Sequence, residues 1–381
     1  MNKKLISLLL SAALAVSMLT VPAFAAEGGE ADAALDETNE VVVTLGDTVT
    51  ASTVEDTDKA AADKTAADKT AADKTAADKT ETVDSAPAAS TEKKQITYVA
   101  LGDSIVAGVG LADVKYAKDS TTLYSVDMSP NFKGYSSDCY VGKVATMMGL
   151  DRDHAINLGL PALTAPDLAD MVRDGQMPKM NMESGCWYKY PEFQDYIRKA
   201  DVVSVQIGSN DAFVPCIVAL GNATNWKSEA LAASVLAGDL RASGSPAAAL
   251  IQGIKDMHLT RDERNATWNL LTSEMGKICD RIYPQTTAGL ISVVQEIRKL
   301  NPDCQILLMG YTDPVPFVPC WHNYFKKLNK FEKQLAETYD LTYVAIPKAK
   351  TDLDVHPTIS GHEYIAKKIV NSIELAEDSA Q

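Results

Sequence analysis

The chain has 381 residues, 46% of them apolar, and 36 Lys and Arg against 51 Asp and Glu, a net charge of −15. That length suits one large or two ordinary domains with a real core. An acidic chain without a Lys/Arg-dense stripe lacks the charge that displaces counterions from a phosphate backbone, which excludes nucleic acid as a partner.

Residues 1–25 hold Lys3 and Lys4, an apolar run from Leu5 to Val21, and the small-x-small triplet Ala23-Phe24-Ala25. This is the pattern of a secretory signal peptide cleaved after Ala25; its alternative is an uncleaved anchor. No later segment approaches about 20 unbroken apolar residues, so the expectation is a secreted, extracellular protein. Residues 26–95 contain 17 acids and 7 lysines, a net of −10, and no aromatic residue. Too little surface can be buried there to offset ordering entropy. Four tandem copies of Ala-Ala-Asp-Lys-Thr run from Ala61 to Thr80, and a five-residue period matches neither a helix face nor strand alternation. The segment is expected to be a disordered, hydrated spacer that can associate with a cell envelope. Within it only Val41 to Leu45 is strand-like. The remaining residues 96–381 carry 34 acids and 27 bases, a net of −7, so they are only mildly acidic.

Composition changes at Ile96, where Ile-Thr-Tyr-Val-Ala-Leu runs into Gly102 as a buried strand. Similar runs follow at Ala155–Leu158, Val202–Ile207, Gln305–Met309 and Leu341–Ile346. Helical periodicity marks Val141–Leu150, Thr286–Leu300, Trp321–Tyr339 and Ser360–Leu375. Strands apolar on both faces that alternate with helices predict an α/β fold with a parallel sheet covered on both sides. Ligands bind such sheets at the carboxyl ends of strands, which directs attention to Gly102, Gly159, Gly208 and Gly310. Residues 211–284 contain no convincing strand and form a helical insertion, with helices expected at Ser228–Leu240, Pro246–Met257 and Asp262–Ile282. It is either a cap over the strand ends or an excursion packed at the sheet edge.

Nucleophilic hydrolysis needs a hydroxyl at a sharp turn, a histidine to take its proton, and donors aimed at the oxyanion. Gly102-Asp103-Ser104 places Ser104 after the first strand, and Gly208-Ser209-Asn210-Asp211 places a neutral amide donor, Asn210, after the third. His356-Pro357 follows the fifth strand, with Ser360-Gly361-His362 opening the final helix. Each signal is weak alone, but in one parallel sheet all three converge on one rim.

With these blocks the chain resembles the SGNH or GDSL-type serine esterases and lipases, from about Ile96 to Leu375 with the helical insertion unmatched. The resemblance implies a three-layer α/β/α sandwich with a five-stranded parallel sheet of flavodoxin-like order. It implies Ser104 as nucleophile, His356 as general base, and an oxyanion hole from the Ser104 N–H, a backbone N–H in a second block and the Asn210 side chain. That block resembles Asn157-Leu158-Gly159-Leu160-Pro161-Ala162-Leu163-Thr164, with Ala162 where the family usually has glycine. An alanine still offers its N–H, although its Cβ restricts the backbone; Gly159 is the fallback donor. Where the family places the triad acid stands Leu353, flanked by Asp352 and Asp354. Asp354 is favoured to orient the imidazole, with Asp352 or a backbone carbonyl as alternatives.

Asp352, Asp354 and His356 alternate, a spacing also open to metal ligation, but no partner cluster accompanies them and Ala366 stands where a His-Glu-x-x-His motif needs its second histidine. No Gly-x-Ser-x-Gly elbow, Walker loop or dinucleotide fingerprint is present. No metal or organic cofactor is expected. His154, His258 and His322 have no catalytic context. The chain has six cysteines, and Phe-Val-Pro-Cys occurs twice, ending at Cys216 and Cys320, which suggests a Cys216–Cys320 disulfide across neighbouring rim loops; two buried free thiols are the alternative. Trp187, Tyr188, Tyr190 and Trp226 are candidates to stack on sugar or line an acyl groove. The expected function is ester hydrolysis on a lipid acyl ester or an acetylated polysaccharide. The competing expectation is a surface-displayed binding or adhesion module with a degraded site.

Overall fold

The computed structural model describes residues 95–114, 132–236, 239–314, 319–351 and 355–374. The leader, the repeat spacer, the short run Val41–Leu45, and both acid candidates Asp352 and Asp354 lie outside the described residues.

Five strands form one sheet: β1 (Tyr98–Gly102), β2 (Ala155–Gly159), β3 (Val202–Gln206), β4 (Gln305–Met309) and β5 (Thr342–Val344). Their order is β2-β1-β3-β4-β5 and every pairing is parallel. This is the expected doubly wound order, with its switch point between β1 and β3. β1, β2 and β3 are buried along their whole length, which is why their sequences read as near-continuous apolar runs rather than alternations.

The helices in chain order are α1 (Ser104–Ala107), α2 (Tyr140–Met148), α3 (Ala165–Asp174), α4 (Phe193–Arg198), α5 (Ser209–Ala223), α6 (Glu229–Leu236), α7 (Asp239–Ala242), α8 (Pro246–Asp256), α9 (Arg261–Asn269), α10 (Met275–Leu300), α11 (Pro319–Tyr339) and α12 (Ile359–Val370). A π turn at Leu270–Glu274 joins α9 to α10. Right-handed crossovers distribute helices by the direction in which the chain moves along the sheet. Accordingly α2 packs with α12, while α10 packs with both α3 and α11. The α10 crossing is close: a Cβ built on Gly289 would meet Pro166 N at 2.7 Å and Ala165 C at 2.8 Å, so only glycine fits there.

The insertion between β3 and β4 is helical, as expected, but its boundaries differ. Helix α5 starts at Ser209 itself, and α10 runs unbroken through Pro284. The local cost of that proline is outweighed by the core made by Leu290, Val293, Val294 and Ile297, all fully buried. The insertion packs on α5 and α10: α9 contacts α5, and α6, α7 and α8 contact one another.

The Cys216–Cys320 disulfide is not formed; all six cysteines are free. The thiol of Cys279 on α10 lies close to both Cys216 and Cys320, so the repeated tetrapeptide pointed to a cluster of thiols rather than to a bonded pair.

Candidate active site

The site is built on the carboxyl ends of β1, β2 and β3. Gly102 ends β1 at φ 152°, and a Cβ there would lie 2.0 Å from Gln206 O, so only glycine lets β1 turn this close to β3. Asp103 then caps α1, its carboxylate accepting the Ile105 N–H at 2.9 Å. Ser104 follows in the first turn of that helix, where backbone N–H groups have no acceptor within the helix. Asn157 anchors α1 from the next strand by donating to Val106 O at 2.8 Å.

His356 arrives from the far end of the chain, in the loop between β5 and α12. Its Nε2 lies 3.1 Å from Ser104 Oγ, a separation of 252 residues closed to one hydrogen bond. Both side chains are buried, Ser104 at 7% and His356 at 1% exposure. The arrangement places a hydroxyl within hydrogen-bond reach of an imidazole nitrogen in a site largely closed to water, a geometry able to activate a nucleophile.

Asn210 sits in the first turn of α5, 1% exposed, and donates one amide hydrogen to Leu163 O at 3.0 Å. An amide nitrogen carries two hydrogens, so one N–H is tied to the second block. The next residue, Asp211, accepts the Ala165 N–H at 2.9 Å. Two successive residues of α5 therefore clamp the segment that follows β2. Burial raises the Asp211 carboxyl to about 7.

In that segment Ala162 adopts φ 62°, the left-handed conformation that a glycine would take without strain. The Cβ restriction anticipated from the sequence is present, and the structure accommodates it rather than avoiding it. Gly159 is otherwise engaged: its N–H donates to Asn157 Oδ1 at 2.9 Å, and a Cβ would meet Ala107 N at 2.4 Å, so it serves strand-to-helix packing.

Sequence reading missed the supports of Asp103. Ser209 Oγ donates to Asp103 Oδ2 at 2.7 Å, and Tyr311 Oη donates to the same oxygen at 3.1 Å. Burial pushes the Asp103 carboxyl up, and these donors together with the nearby His356 pull it back down. Both partners follow rim glycines already visible in the sequence, Gly208 and Gly310, but nothing local connects them to Asp103. His362 is fully buried, and its Nδ1 accepts the Tyr140 N–H at 3.2 Å at the start of α2, a structural role. His154 pairs with Asp151 at 2.7 Å and His322 with Asp313 at 2.9 Å, both on the surface. Of the aromatic candidates, Trp226 packs over Gly221, Tyr190 packs edge-on against Phe132 at 5.4 Å, and Trp187 is 52% exposed. No cluster of three metal-ligating side chains is placed to hold an ion among the described residues. Nor is any helix among them long and apolar enough to cross a membrane.

A model of the GDSL-like Lipase/Acylhydrolase family matches residues 100–364. None of the curated proteins compared with the chain matches it. Similar solved structures include a lipase from a goat rumen metagenome, with 15% identity and a TM-score of 0.40, covering 73% of this chain and 97% of that one. An extracellular lipase from Streptomyces rimosus has 14% identity and a TM-score of 0.41, with coverage of 73% and 100%. A mutant of an acetyl-xylooligosaccharide esterase from Geobacillus has 18% identity and a TM-score of 0.37, with coverage of 75% and 97%.

Proposed function

The chain belongs to the GDSL-like Lipase/Acylhydrolase family and is an ester-bond hydrolase, and from that premise we propose that it is an exported serine esterase acting through Ser104 and His356. The observation that carries this reading is the 3.1 Å contact between His356 Nε2 and Ser104 Oγ in a buried site. His356 takes the Ser104 proton as Oγ attacks the ester carbonyl, then returns it to the departing alcohol. The oxyanion that forms is held by the Ser104 N–H, the Ala162 N–H and the second amide hydrogen of Asn210, three neutral donors that need no reorganisation. Water then repeats the sequence on the acyl enzyme and releases the acid. Export rests on the leader pattern of residues 1–25; the acidic repeats then hold the catalytic domain at the envelope.

The substrates of this reading are small acyl esters, either lipid acyl chains or acetyl groups on a glycan. Hydrolysis of p-nitrophenyl acetate by the wild-type chain and by Ser104→Ala tests it. Loss of all but background rate in the variant is expected; equal rates in the two proteins would refute it and leave the binding-module alternative. A panel from acetyl to decanoyl esters separates the two substrates, acetyl preference favouring a glycan deacetylase and long-chain preference a lipase.

A further inference from the structure

The turn that carries Ala162 holds a conformation its own residue disfavours. Leu163 donates its N–H to Leu160 O at 3.3 Å across the turn. Pro161 imposes a negative φ at the first corner, and Ala162 has φ 62° at the second. Negative followed by positive φ is a type II turn, which calls for glycine or asparagine at that second corner. A type I turn through the same four residues would return Ala162 to negative φ by flipping the peptide between Pro161 and Ala162. Because that peptide is planar and trans, a flip reverses the Pro161 carbonyl and the Ala162 N–H together.

A side chain latches this peptide. Tyr188 Oη donates to Pro161 O at 2.9 Å. Tyr188 is itself held in a pairing of the chain back on itself: Gln176 bridges Lys189, the Met177 N–H donates to Tyr188 O at 2.9 Å, and Trp187 Nε1 donates to Met177 O at 3.0 Å. The same hairpin brings Cys186 Sγ to 4.0 Å from Ala162 O. Two successive carbonyls of the turn are therefore held by side chains of one hairpin. Strained residues persist only where their surroundings over-determine them, and this grip meets that requirement.

We propose that Tyr188 is a positioning residue for ester hydrolysis: by holding the Pro161 carbonyl it aims the Ala162 N–H to the opposite face of the turn, toward Ser104. This is what lets an alanine serve where a glycine would hold the type II turn unaided. The inference rests on Ala162 being an oxyanion donor in the proposed function.

The test is a double-mutant cycle in the full chain with p-nitrophenyl acetate, comparing wild type, Tyr188→Phe, Ala162→Gly and the double variant, with Ser104→Ala as reference and a melting curve for each. Tyr188→Phe removes one hydrogen bond and should lower kcat by about tenfold, with KM changed less than about twofold because the donor acts on the transition state. In the Ala162→Gly background the same substitution should change kcat by less than about twofold, since glycine carries no strain for the latch to oppose. Wild-type kcat in Tyr188→Phe, or an equal loss in both backgrounds, would overturn the inference, whatever the melting temperatures. If Ser104→Ala is inactive while either of those results holds, only this inference fails; if Ser104→Ala is as fast as wild type, the proposed function fails instead.

Discussion

Replacing Glu332 with glutamine should become progressively more favourable to stability, relative to wild type, as pH rises from 4 to 7. Glu332 lies on α11 with 0% exposure, and neither carboxyl oxygen has a hydrogen-bond partner among the described residues. Tyr283, Tyr311, Tyr324 and Tyr343 are close enough to feel its charge. Burial pushes the carboxyl well above its ordinary value of 4.5, so the folded protein holds this proton more tightly than the unfolded chain does. Each pH unit over which the folded protein holds a proton that the unfolded chain has released costs about 1.4 kcal/mol. Because the folded value is the higher one, this group's contribution is fully present below about pH 4.5 and is lost as pH rises through the folded value. Glutamine has nearly the shape of the protonated acid and no such dependence. The difference between Glu332→Gln and wild type should therefore shift in the variant's favour as pH rises from 4 to 7, by up to about 1.4 kcal/mol per pH unit. Urea denaturation followed by the fluorescence of the four tryptophans, at pH 4, 5.5 and 7, reads this directly. A stability difference that stays constant across those pH values would refute the reasoning.

Asp103→Asn should lower both stability and activity. One acceptor oxygen becomes an amide that faces the hydroxyl donors Ser209 and Tyr311, at about 1–3 kcal/mol, measurable by thermal melting beside the p-nitrophenyl acetate rate. Gly289→Ala should cost about 1–3 kcal/mol by forcing α10 off the start of α3, since its Cβ would meet Pro166 N at 2.7 Å; a melting temperature equal to wild type would show that the helices part freely. Thr164→Ala removes the capping box of α3, in which Thr164 and Asp167 satisfy each other's backbone N–H, and should cost about 1 kcal/mol in urea denaturation. Alkylation in denaturant without reductant should modify all six cysteines; fewer would reveal a disulfide.

The strands were legible because each is short and apolar and the first four lead into a rim glycine, and the five predicted runs match the observed strands within two residues. Helix α3 was not, although its capping box is present in the letters Thr-x-x-Asp. Pro166 and the charged residues Asp167, Asp170, Arg173 and Asp174 dilute its helical pattern, and its apolar stripe, Leu168, Met171 and Val172, is buried by tertiary contacts. The expected break near Pro284 failed for a related reason, since burial along α10 outweighed a local helix defect. The expected Cys216–Cys320 bond is absent, and beside both thiols lies a third, Cys279, from a helix far away in sequence.

Sequence alone determined the α/β class and put forward candidates for the chemistry: a serine and an amide just after the first and third predicted strands, and a histidine in the connection that follows the fifth. Only the tertiary structure decided how they act together. It set the 3.1 Å approach of His356 to Ser104, joined Ser209 and Tyr311 to Asp103, and held Ala162 in a conformation that its own side chain opposes. Local propensity acts over a few residues, whereas a hydrogen bond between positions 252 apart exists only once the sheet has brought the carboxyl ends of its strands to one rim.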